Sequence, residues 1–149
     1  MKELRLGDQL IRYDRDATVA AYGVLLSGST KPCTCKSCHN FAMQSDSVYP
    51  PAFRAILHQL GIDPNGASDI HQNGPIEDGV IIPSGGWFYL VGEMVEKGER
   101  MADIDKNLQC FFRSVGGTLT GSDAWRGKPV LALEFTTRVR WLLPGDPEA

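Results

Sequence analysis

Val130-Leu131-Ala132-Leu133-Glu134-Phe135-Thr136-Thr137-Arg138-Val139-Arg140-Trp141-Leu142 is the stretch on which the fold turns. Successive side chains of a strand point to opposite faces. Leu131, Leu133, Phe135, Val139 and Trp141 therefore share one side, interrupted only by Thr137, while Glu134, Thr136, Arg138 and Arg140 share the other. One side packs and the other meets water. Such half-wet alternation belongs to an antiparallel sheet, so the expected fold is α+β, with about four strands and two or three short helices on one face.

Outward from this strand, Leu108 to Val115 alternates so that Leu108, Cys110 and Phe112 share a face. Trp87 to Glu96 is aromatic and β-branched, with Gly92 marking a bulge. Asn73 to Gly86 reads as a long loop holding a short strand at Val80-Ile81-Ile82, and Ala67 to Gln72 as one helical turn. The clearest helix is Pro51 to Leu60, with prolines at its start, Phe53, Ile56, Leu57 and Leu60 on one stripe, and Gly61 to close it. Lys36 to Gln44 has no breaker and predicts one or two helical turns, whereas Ala17 to Leu26, rich in Val and Tyr, reads as a strand. Residues 1–16 are charge-rich and read as a surface arm or short helix rather than core, and 143–149 as a flexible tail on a single domain spanning 1–149.

Fifteen basic against eighteen acidic residues give a net charge of −3, which supplies no pull toward nucleic acid or an anionic membrane. Met1 to Asp8 carries acidic residues where an apolar signal core would be needed, and no N-x-[ST] acceptor occurs. A cytoplasmic protein with reduced thiols is the expectation. Asp103-Ile104-Asp105-Lys106-Asn107 starts like a calcium loop, but Leu108 stands where glycine is needed and Ser114 where the closing glutamate should be. Phosphate-loop and serine-hydrolase spacings are absent.

The chemistry concentrates in Cys33-Thr34-Cys35-Lys36-Ser37-Cys38-His39. Three soft ligands and an imidazole within seven residues suit a structural zinc site, either of three cysteines with one histidine or of four cysteines. Cys35 and Cys38 would share a face of the first helical turn, with Cys33 arriving from the preceding segment. The fourth ligand is open. His39 is adjacent but would point about 100° away from Cys38 on a helix, and Cys110 would have to come from a distant strand. Three other readings compete: a dithiol redox pair at Cys35 and Cys38, inert packing, and a protein-interaction module of inhibitor or immunity type. The last would present Trp87 within a Gly85-to-Tyr89 loop, with the cysteines structural. His58 lies beside its helix's apolar stripe, and spacing identifies no carboxylate partner for His71.

Cys33-x-Cys35-x2-Cys38-x-Asn40-Phe41, Tyr49-Pro50, Leu60-Gly61-Ile62-Asp63-Pro64, Gly86-Trp87-Phe88 with Val91-Gly92-Glu93, and Leu131-Ala132-Leu133-Glu134-Phe135 before Trp141 form a set. The chain thereby resembles a family of small uncharacterised bacterial proteins with a C-x-C-x2-C-x-N-F segment and a helix ending in L-G-I-D-P. The resemblance covers most of the chain after residue 20 and implies a bacterial single-domain protein in which the cysteine segment matters. His39 stands where the resemblance implies a basic residue.

Overall fold

The first sixteen residues are not a surface arm. A computed structural model describes residues 1–27, 35–115, 120 and 122–147. In it β1 (Lys2–Leu6) and β2 (Gln9–Tyr13) form an antiparallel hairpin, turned at Gly7 with φ 60°. Leu6, Ile11 and Tyr13 are buried, while Arg5 and Arg12 form ion pairs with Glu96, Glu3 and Glu93 on the exposed side. The charges that suggest an arm are the wet face of a strand pair.

The expected strand at residues 17–26 is instead part of helix α1 (Arg15–Ser27). Asp14 starts it, its Oδ1 accepting the Ala17 amide at 3.0 Å, and the cap together with three alanines outweighs the reluctance of Val and Tyr. Helix α2 (Lys36–Met43) and helix α4 (Pro51–Leu60) lie where expected, separated by the short α3 (Ser45–Val48). Gly61 closes α4 in the left-handed conformation, φ 81°, and the Ile62 amide returns to the Leu57 carbonyl at 2.9 Å.

Five further strands complete an antiparallel sheet of seven among the described residues, where about four were expected. They are β3 (Asp69–Gln72), β4 (Ile81–Glu96), β5 (Ala102–Asp103), β6 (Gln109–Ser114) and β7 (Val130–Arg140). Residues 69–72, read as a helical turn, are a strand. Residues 81–86, read largely as loop, open the sixteen-residue β4. The sheet order is β1-β2-β4-β7-β6-β5, with β3 added to β4. Gly92 makes room rather than a bulge: a Cβ there would stand 2.7 Å from the Arg12 carbonyl, and the register shift lies between Leu10 and Ile11.

Phe41, Tyr49, Phe53, Phe88 and Phe135 make one aromatic cluster beneath α2, α3 and α4, with Tyr49 edge-on to Phe135 at 5.5 Å between centroids. Helical cover is not confined to that face. Trp125, in a 3-10 turn at Asp123–Trp125, packs on Tyr22 of α1 and on Tyr89, which points away from Phe88. Val91, Val130 and Ala132 are buried on this second side.

On the edge of β4 away from β7, β3 pairs with residues 84–87 and β2 with 92–96, so that among the described residues no strand pairs with 88–91 there. Helix α1 fills the gap with side chains. Thr18 Oγ1 donates to the Asp14 carbonyl and accepts the Val91 amide at 2.9 Å, and Tyr22 donates to the Tyr89 carbonyl at 2.7 Å. Thr18→Val preserves the shape but orphans the buried Val91 amide, and should cost about 1–3 kcal/mol in urea unfolding. An unchanged midpoint would show that water or a backbone shift replaces the bond.

Candidate functional site

Cys35 occupies the N-cap of α2, with φ −66° and ψ 158°, and its Sγ accepts the Cys38 amide at 3.3 Å. Sulfur here does what a serine or aspartate oxygen does at other helix starts. Cys35 is exposed and Cys38 half-buried, so neither is absorbed into the core as the inert-packing reading requires. Cys33 and the Lys31-Pro32 entry to the segment lie outside the described residues.

The other end of α2 is clamped to the end of β7. Asn40, 1% exposed, donates from Nδ2 to the Arg140 carbonyl at 3.1 Å and accepts the Leu142 amide on Oδ1 at 2.8 Å. Gln44 Nε2 donates to the same Arg140 carbonyl at 2.7 Å, and Phe41 enters the aromatic cluster. Trp141 is held alongside, its indole N–H donating to the Gly145 carbonyl at 3.1 Å within the segment expected to be a loose tail.

His39 continues the helix, its amide bonded to the Cys35 carbonyl at 3.0 Å, and its side chain is exposed. The turn is therefore helical, the condition under which His39 diverges from Cys38. Among the described residues no three His, Cys, Asp or Glu side chains converge as a metal group, so Cys35, Cys38, His39 and Cys110 do not form one there. Cys110 sits on β6 opposite Phe135 and Ala102 with no exposed surface. Burial pushes its thiol up to about 12, which disfavours the thiolate a metal needs.

A second group of polar side chains escapes the sequence reading. On β3, Asp69 and His71 are two apart and share a face, and Asp69 Oδ2 meets His71 Nδ1 at 2.7 Å. The carboxylate that spacing does not identify becomes visible once 69–72 is a strand rather than a turn. Trp87 lies opposite Asp69 on β4 and opposite Glu134 on β7, in mid-strand rather than in a loop. Its ring centroid is 6.1 Å from that of His71, and its indole N–H is buried without a partner among the described residues. Asp69 and His71 side chains are 41% and 46% exposed, so the pair orients the imidazole while adding at most about 1 kcal/mol.

The segment that starts like a calcium loop is an ordinary turn, and the outward arginines of β7 lie on its wet face as the alternation predicts. Asp105 caps a turn, its Oδ1 accepting the Asn107 and Leu108 amides, and Arg138 and Arg140 are exposed opposite the buried Val139. No helix among the described residues is long and apolar enough to cross a membrane. Compared with protein-family models, curated proteins and solved structures, the chain matches none.

Cys110 has a measurable signature at high pH. Its native pKa is raised from 9.0 to about 12, so between these values the unfolded chain loses a proton that the native state keeps. This group's contribution to stability is fully present below about pH 9 and is lost as pH rises toward about 12, by up to about 1.4 kcal/mol per unit. Burial raises Tyr22 and Tyr49 in the same direction, adding to the loss above about pH 10. Urea midpoints should fall less between about pH 9 and 10 for Cys110→Ala than for the parent chain. Equal slopes would mean the native thiol ionises normally.

Proposed function

We propose that this is a small metal-binding protein in which Cys33, Cys35 and Cys38 hold a structural zinc ion, without catalysis, in a reducing, cytoplasmic setting. The observation that carries the reading is the bond from the Cys38 amide to Cys35 Sγ at an exposed helix start. An N–H directed at sulfur fixes the ligand's orientation and offsets charge on a thiolate, as outer-shell partners of metal ligands do. One residue separates Cys33 from Cys35, which limits their Cα separation to about 7 Å in any conformation. A thiolate at Cys33 is thus within reach of an ion held by the other two. Cys110 is left out of the set because of its burial. The fourth position is left to water or to a group outside the described residues; His39, rotated away on the helix, is the poorer choice.

Zinc held by these cysteines would tie the chain before α2 to the helix and stabilise the folded state by its binding energy. Protein purified without an affinity tag should carry about one zinc per chain by elemental analysis. Cys35→Ser should lower zinc content and lower the thermal midpoint by about 5 °C or more. Metal content unaffected by Cys35→Ser removes the proposal. The exposure of Cys35 favours one second reading, a thiol-redox pair with Cys38. That reading requires rapid alkylation of Cys35 or Cys38 near neutral pH in metal-free protein.

A further inference from the structure

The chain has three histidines, and among the described residues only His71 has a carboxylate bonded to its ring. Asp69 Oδ2, ionised and 2.7 Å from Nδ1, can only accept, so in the neutral ring the proton sits on Nδ1 and the lone pair on Nε2. Nε2 lies beside Gly85, the residue paired with His71 in the ladder, where a Cβ would stand 3.6 Å from it. Asn73 extends the β3 side of that ladder, its amide bonded to the Pro83 carbonyl at 2.9 Å, and two residues from His71 it shares the same face. Its Nδ2 would stand 2.8 Å from the same Cβ. Glycine at 85 thus lets an imidazole nitrogen and an amide donor converge on one spot, with the Trp87 ring 6.1 Å from that of His71.

We propose that His71 is a nucleophile toward activated acyl groups, meaning esters with a good leaving group, with Asp69 as its positioning residue and Asn73 as donor to the developing oxyanion. The site shares no residue with the cysteines and does not rest on zinc. Nε2 adds to the carbonyl carbon, and the carbonyl electron pair moves onto oxygen, toward Asn73 Nδ2. Its return breaks the C–O bond and expels the leaving oxygen with its electron pair. The acyl-imidazolium keeps its Nδ1 proton directed at Asp69, whose charge offsets the new positive charge. Water then cleaves the N–C bond, the carboxylic acid departs, and the proton left on Nε2 passes to solvent. An acyl group suits the site better than a phosphoryl group. Arg138, opposite Pro83, is already paired with Glu77 at 2.6 Å, and a single neutral amide donor matches one oxyanion rather than a phosphate's several charges.

The test is steady-state release of p-nitrophenol from p-nitrophenyl acetate by the full chain, read after any stoichiometric burst from the thiols. His71→Gln should lower turnover by about tenfold or more, and Asp69→Asn by about fivefold or more. Asn73→Ala should lower it by about threefold or more. His58→Gln, at an exposed histidine without a carboxylate, should leave it unchanged. NMR of the ring nitrogens should place the neutral proton of His71 on Nδ1 in the parent chain and shift it toward Nε2 in Asp69→Asn, a change that a merely structural role would not produce. Asp69 and His71 are half-exposed, so urea midpoints of these variants should stay close to the parent's. Turnover in His71→Gln within about twofold of the parent overturns the proposal, as does a parent ring protonated on Nε2. Turnover unchanged in Asp69→Asn overturns the dyad, leaving His71 an ordinary surface imidazole.

Discussion

The fold depends on polar side chains that take the place of missing strands. A strand paired along only part of its length leaves buried N–H and C=O groups, and each unsatisfied one costs about 1–3 kcal/mol. Thr18 and Tyr22 serve β4 in this way where neither β2 nor β3 reaches. Gln9, 4% exposed, does the same across the sheet, donating to the Phe112 carbonyl at 2.8 Å and accepting the Phe112 amide at 2.7 Å. Asn40 repeats the device beyond β7. A carboxamide carries a donor and an acceptor at about the spacing of a peptide group, so one Gln or Asn can pair a strand edge as a backbone would.

These substitutions set the tertiary arrangement. Gln9 binds the N-terminal hairpin to β6, so the sheet curls until the β1–β2 turn meets β5, where a Cβ on Gly7 would lie 3.4 Å from that of Ala102. Thr18 and Tyr22 lock α1 to β4, which brings Tyr22 against Trp125 and seals the second face. Asn40 does the equivalent work for α2, and its side chain is specified by the edge of β7 rather than by helix propensity, for which asparagine is poor. The cysteines at the other end are therefore displayed from a helix whose placement is set by the sheet.

What is legible in the sequence follows from which signals are local. The alternation of β7 and the proline-to-glycine frame of α4 are read within one element, and both lie as expected. β1 and β2 are hidden because their outward residues are charged, and because the apolar partners of Leu6, Ile11 and Tyr13 are distant in sequence. α1 reads wrongly because valine and tyrosine suggest a strand, whereas the deciding residues are the cap Asp14 and the buried hydroxyl of Thr18. Gly85 and Gly86 suggest a loop for a similar reason. A Cβ on Gly86 would collide with the Asp69 carbonyl, so glycine there admits β3 to the ladder and does not break the strand. With β3 unseen, the Asp69–His71 pair cannot be found either.

The cysteines show how burial separates residues of one type into different chemistries. Cys110 and the pair at α2 are equally soft ligands in composition, yet Cys110 alternates into the core between Leu108 and Phe112, where desolvation holds it as a thiol. Cys35 stands at a helix start, its sulfur directed by an amide, and Cys38 lies in the first turn, two residues before the buried Asn40. A core substitution at Cys110 is an exchange of volume. Substitution at Cys35 instead removes the sulfur that caps α2, at the end of the helix away from the Asn40 and Gln44 bonds to β7. Sequence spacing alone puts Cys33, Cys35 and Cys38 in one class and leaves Cys110 ambiguous, whereas exposure and the cap bond set Cys35 and Cys38 apart from the buried Cys110.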